Sequence, residues 1–112
     1  MSEVRLNSYR IMWIFVFFDL PTTTKAERRN AALFRKGLEK DGFSMMQFSV
    51  YIRHCASIES CEVHIKRVKS LLPSSGIVSI LSVTDKQFGG ITNFWGKIER
   101  KREGNPLQLE IF

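Results

Sequence analysis

The spacing of apolar residues changes several times along the chain, and each change marks an element. Ile11-Met12-Trp13-Ile14-Phe15-Val16-Phe17-Phe18 is apolar without a break. A run of this length, apolar in both alternating registers, predicts a central strand buried on both faces. Leu20-Pro21-Thr22-Thr23 ends it. Thr24-Lys25-Ala26-Glu27 reads as a capping box, and Ala31, Phe34 and Leu38 then follow helical spacing. Gly42 is the helix stop. Phe43 to Gln47 and Phe48 to Arg53 are two short strand-like runs, predicted to form a tight hairpin. Ser57 caps a second helix with the stripe Ile58, Cys61, Ile65, Val68 and Leu72, ended by Pro73 and Gly76. Ile77 to Val83 is a fourth strand.

The order is β-α-β-β-α-β, an α+β chain with the split pattern of ferredoxin-like folds. Such a sheet carries both helices on one face. The apolar first strand then requires something to cover the other face, since large exposed apolar patches are rare on monomers. A twin subunit is the simplest cover, so a homodimer is expected. Beyond Val83 the pattern weakens. Residues 85–105 hold several glycines and only Phe88, Ile91, Phe94 and Trp95 as anchors, and Pro106-Leu107-Gln108-Leu109-Glu110-Ile111-Phe112 alternates like one more strand. The sequence therefore divides into a ferredoxin-like domain over 1–96 and a C-terminal extension over 97–112 whose strand is free to pair with its own sheet or a partner's.

At 112 residues there is room for one domain. Nine Phe and two Trp supply large buried surfaces for so short a chain. Seventeen Lys+Arg against eleven Asp+Glu leave +6, a balance that favours polyanions. The run from Ile11 to Phe18 is too short to span a bilayer and lacks a cleavage site. No membrane association is expected. Two Cys fit a reduced, cytoplasmic setting.

Phe17-Phe18-Asp19-Leu20-Pro21-Thr22, the basic helix, Gly42-Phe43 and Gln47-Phe48-Ser49-Val50-Tyr51 together resemble the small CRISPR-associated adaptation proteins. Val83-Thr84-Asp85-Lys86-Gln87-Phe88 and Phe94-Trp95-Gly96 are similar to the branch accompanying single-protein RNA-guided effectors (type II). The resemblance covers about residues 10–96. It implies a ferredoxin-like homodimer with facing sheets, whose C-terminal strand often completes the partner's sheet. It also implies a scaffold flanked by the CRISPR integrase, with double-stranded DNA across the assembly, inserting new spacers into the CRISPR array. Metal-dependent nuclease activity on RNA or DNA is attributed to some members. Many members carry Tyr before the site Asp, whereas Phe18 offers no hydroxyl.

The residue at that site position is Asp19, the carboxylate at the end of the first strand. Antiparallel geometry brings Gln47 and Ser49 to the same sheet end and sends Asp85 to the opposite one. One carboxylate per subunit is a thin metal site. A facing twin adds a second, and Mg²⁺ is held by one or two carboxylates with water filling the rest. The chemistry-free reading is that Asp19 ends the strand before the Pro21 turn. On the first helix, Lys25, Arg29, Lys36 and Lys40 cluster opposite Phe34 and Leu38, with Arg28 and Arg35 beside them. That cluster is either a solvated face or a phosphate-contacting ridge. Arg100-Lys101-Arg102 is a second basic run. His54, Cys55, Cys61 and His64 lack zinc-finger spacing, and Cys61 lies on the core stripe. A base-stacking RNA-binding module would need an aromatic central-strand motif that is not evident. A toxin-like metal-dependent endoribonuclease of the same fold stays open as the alternative.

Overall fold

The computed structural model describes residues 11–100. The elements run β1 (Met12–Asp19), α1 (Lys25–Lys40), β2 (Ser44–Gln47), β3 (Val50–Cys55), α2 (Ile58–Ser70), β4 (Ile77–Thr84), α3 (Asp85–Gly89), β5 (Asn93–Trp95) and β6 (Ile98–Arg100). The first four strands form an antiparallel sheet of order β2-β3-β1-β4, with β1 interior as its unbroken apolar run demands. The fold is α+β and ferredoxin-like, with a further short helix and hairpin appended.

Each helix begins where its cap is written. The Thr24 hydroxyl accepts from the Glu27 N–H at 3.1 Å, and the Glu27 carboxylate accepts from the Thr24 and Thr23 N–H groups at 2.9 Å. Ser57 accepts from the Ser60 N–H at 3.0 Å and opens α2. Gly42 follows the C-cap of α1 at φ 87°, and a Cβ there would stand 1.7 Å from Arg53 Nη1. The close approach has a purpose: that nitrogen donates to the Asp41 carbonyl at 2.8 Å and ties the helix end to β3.

The alternation of β1 divides the molecule in two. Ile14, Val16 and Phe18 face α1 and α2, where they meet Phe34, Leu38, Cys61 and Val68 in the main core. Tyr51 and Cys55 of β3 join the same layer. The observed α2 stripe departs from the expected one. His64 is buried beside Cys61 and Val68, whereas Ile58 and Leu72 are exposed. Leu72 lies past the last helical residue, Ser70, so it does not continue the helical phase. The hairpin also shifts: Phe43 is a buried core residue ahead of β2, Phe48-Ser49 is the turn, and β3 runs on to Cys55.

Trp13 and Phe15 point to the opposite face, where they form a second cluster with Ile52 and Phe88. Part of that face is covered by the chain itself. Thr84 begins α3 through its own capping box with Gln87, and the Asp85 N–H donates to the Ile11 carbonyl at 2.9 Å. The chain then turns back across the sheet. Phe88 stacks on Trp13 with centroids 4.0 Å apart and planes 8° apart, and Ile91 packs against the same cluster. The chain therefore covers the Trp13–Phe15 half of this face itself. The other half stays open: Phe17 is 37% exposed, Leu81 50% and Ile77 67%.

The β5–β6 hairpin runs through Gly96, the residue at which the sequence suggests that the core domain ends. The expected strand at 107–112 lies outside the described residues. Among the described residues, no helix is long and apolar enough to cross a membrane.

Candidate functional site

Asp19 is the last residue of β1 and pairs with Ile77, the first of β4. It shares its side of the sheet with Phe17 and Phe15, opposite α1 and α2, and is exposed there. The neighbouring backbone holds its position from two sides. The Phe18 N–H donates to the Ser49 carbonyl at 3.1 Å. Gly76, at φ 96°, lies so close that a Cβ would stand 2.9 Å from the Asp19 carbonyl oxygen. In the sequence Gly76 reads only as a stop after α2. Its close approach to Asp19 comes from the long-range pairing of β1 with β4.

The structure brings Gln47 and Ser49 to this same end of the sheet, since Phe17 and Gln47 both pair with Val50. Asp85 stands at the opposite end, as the antiparallel reading requires. Its carboxylate accepts from the Trp13 indole N–H at 2.7 Å. Among the described residues, no group of three or more His, Cys, Asp and Glu side chains is placed to hold a metal ion. Asp19 ends β1 there, and among the described residues it belongs to no such group. A second, facing carboxylate would enlarge what it offers a cation.

Lys25, Arg28, Arg29, Lys36 and Lys40 are exposed on α1. Arg28 is partly committed, because its Nη1 donates to the Thr22 and Thr23 carbonyls at 3.1 and 3.0 Å. Arg35 leaves the ridge. Its guanidinium lies 4.4 Å from the Phe48 ring centroid and 5.5 Å from that of Phe18, over the turn near Asp19. Arg100 lies 5.3 Å from the Trp95 ring centroid, and Lys101 and Arg102 are outside the described residues.

The His and Cys residues weighed for zinc have other engagements. His64 Nδ1 is 2.8 Å from one Asp41 oxygen, and Arg67 donates to the other at 2.8 Å. Burial alone would raise the Asp41 carboxyl, but the His64 and Arg67 hydrogen bonds and charges outweigh it and hold the group below its usual value. Cys55 and Cys61 are buried free thiols, and Cys55 is pushed up to about 11, chiefly by burial. His54 lies against the Trp13 ring at 5.4 Å.

Comparison with known proteins gives the family. A family model described as CRISPR associated protein Cas2 matches residues 12–91. A protein of Flavobacterium psychrophilum, named CRISPR-associated endoribonuclease Cas2, is 54% identical over 96% of this chain and 94% of its own length. Proteins with the same name from Parvibaculum lavamentivorans and Paracidovorax avenae are 50% and 42% identical. The first covers 90% of this chain and all of its own length, the second 96% of this chain and 99% of its own. With a family model matching residues 12–91 and likeness along nearly the whole chain, this protein belongs to the CRISPR-associated protein Cas2 family.

Proposed function

We propose that the chain works as a homodimeric DNA-binding scaffold of CRISPR spacer acquisition, holding double-stranded DNA beside the CRISPR integrase while foreign DNA enters the array. The division of the sheet carries this reading. One face is closed by α1 and α2, and α1 turns basic side chains outward. The other face leaves Phe17, Leu81 and Ile77 open around Asp19. Pairing two such faces would bury the apolar patch and bring two Asp19 carboxylates toward one seam. The ridges would remain free for phosphates, whose contacts carry affinity without sequence choice.

Relatives are named endoribonuclease, which supports a second, nuclease activity, and we place it at the same seam. Two Asp19 carboxylates with water suit Mg²⁺, which prefers few protein ligands. When bound, the ion would supply an activated water for phosphodiester attack. The chain's own part is to fix Asp19 through Gly76 and the Ser49 carbonyl, with Gln47 and Ser49 near the scissile strand. Scaffold and nuclease separate in one experiment. Asp19→Asn should abolish Mg²⁺-dependent cleavage of RNA or DNA, yet leave spacer acquisition and a light-scattering mass of two chains unchanged. Loss of acquisition by a dimeric, integrase-bound variant would overturn the scaffold and make the nuclease the working part.

A further inference from the structure

The β5–β6 hairpin stands beside the outer strand β2, and a cleft of about 320 Å³ opens between them, lined by Met46, Gln47, Thr92, Asn93, Phe94 and Trp95. That volume falls at the small end of the range for small-molecule sites. The lining combines two side-chain amides, a hydroxyl and two aromatic rings. Strand alternation puts Asn93 and Trp95 on one side of the hairpin. Arg100 pairs directly with Asn93, and its guanidinium lies 5.3 Å from the Trp95 ring centroid. An amide, an aromatic platform and a cation are thereby gathered on one surface.

Asn93 leaves a hydrogen bond unmade at the cleft wall. Its Nδ2 has almost no exposed surface and no hydrogen-bond partner. Buried donors are nearly always satisfied, and leaving one unmade is costly. Trp95 and Phe94, meanwhile, are 52% and 60% exposed. A ligand that stacks on an aromatic ring and offers an acceptor edge to an amide would answer both features at once.

We propose that this cleft binds an unpaired nucleobase of a single-stranded nucleic acid. The base stacks on Trp95, its edge pairs with the Asn93 and Gln47 amides, and Arg100 meets the adjoining phosphate. Stacking on aromatic side chains is how unpaired bases are commonly held, and an amide matches the donor and acceptor of an adenine edge. A duplex cannot use the site, because its bases are already stacked and paired. The cleft lies at the β2 edge of the sheet, whereas the open patch of Phe17, Leu81 and Ile77 spans β1 and β4, and Gln47 alone of the cleft residues belongs to the Asp19 end of the sheet. The cleft requires neither Asp19 nor a second copy of the chain, so its failure and that of the scaffold are distinguishable.

The test uses the full chain with a labelled five-residue adenosine ribonucleotide or with a labelled duplex long and G·C-rich enough to stay annealed, followed by fluorescence anisotropy at elevated salt. The single strand should bind more tightly than the duplex. Trp95→Ala and Asn93→Leu should each weaken single-strand binding roughly tenfold, without changing the weaker duplex binding. Asn93→Leu removes the unpartnered donor at similar volume, so its thermal midpoint should stay at or above that of the parent. Unchanged single-strand affinity in a folded Asn93→Leu protein would overturn the site. So would equal weakening toward the duplex, which would mean that only phosphates are being contacted.

Discussion

Replacing Phe88 by alanine tests whether α3 is the cover of the second sheet face. Phe88 is 5% exposed, stacks on Trp13 at 4.0 Å and touches Phe15 at 5.7 Å between centroids. Truncating a buried Phe to Ala costs about 3–5 kcal/mol. The lower figure applies here, because α3 has only five residues and can settle toward the sheet. With a urea m-value of ~1–3 kcal/mol/M, a loss of about 3 kcal/mol lowers the unfolding midpoint by ~1–3 M. Trp13 reports the same event optically. It is 2% exposed, whereas Trp95, the other indole, is already half in water. Phe88→Ala should therefore shift the native emission to the red through Trp13 alone, and speed amide exchange in 85–91 well before the β1 amides. An unfolding free energy within ~0.5 kcal/mol of the parent's, with unshifted emission, would refute the packing argument. Something other than α3 would then have to keep Trp13 dry.

Further outcomes follow from individual interactions. The Asp41 carboxyl is held below its ordinary 3.8, with burial outweighed by His64 and Arg67, so its contribution is full above that value and lost as pH falls through the folded value. Asp41→Asn should therefore lower the melting temperature at pH 6, and the gap from the parent should close below about pH 3.8 in a series of thermal melts. Gly76→Ala forces a Cβ to 2.9 Å from the Asp19 carbonyl at φ 96°, and should cost about 1–3 kcal/mol in urea unfolding. Reversing Arg28, Arg29 and Lys36 to Glu should weaken duplex binding and flatten its salt dependence by roughly 0.9 in log–log slope for each phosphate no longer neutralised, measured by anisotropy across a salt series. An unaltered slope would mean that the α1 ridge is only a solvated face.

What the sequence determined by itself was local. Caps at Thr24 and Ser57, the stop at Gly42 and the doubly apolar β1 named the elements, because each depends on hydrogen bonds or alternation within a few residues. Their order then placed Asp19 with Gln47 and Ser49 at one sheet end and Asp85 at the other, since antiparallel pairing leaves little choice. The capping box at Thr84-Gln87 was written just as plainly, yet the five-residue helix it begins has no periodic stripe to announce it. Only the tertiary structure decided where that helix goes. Phe88 finds Trp13 from 75 positions away through the return of β4 along β1, and no local pattern encodes such a meeting. The same holds for His64, which sits in the core because Asp41 waits there to bond it, and for Gly76, whose need for a missing side chain arises from the backbone of Asp19. Periodicity tells a residue which side of its own element it occupies, but what it meets there is set by the neighbours that packing brings.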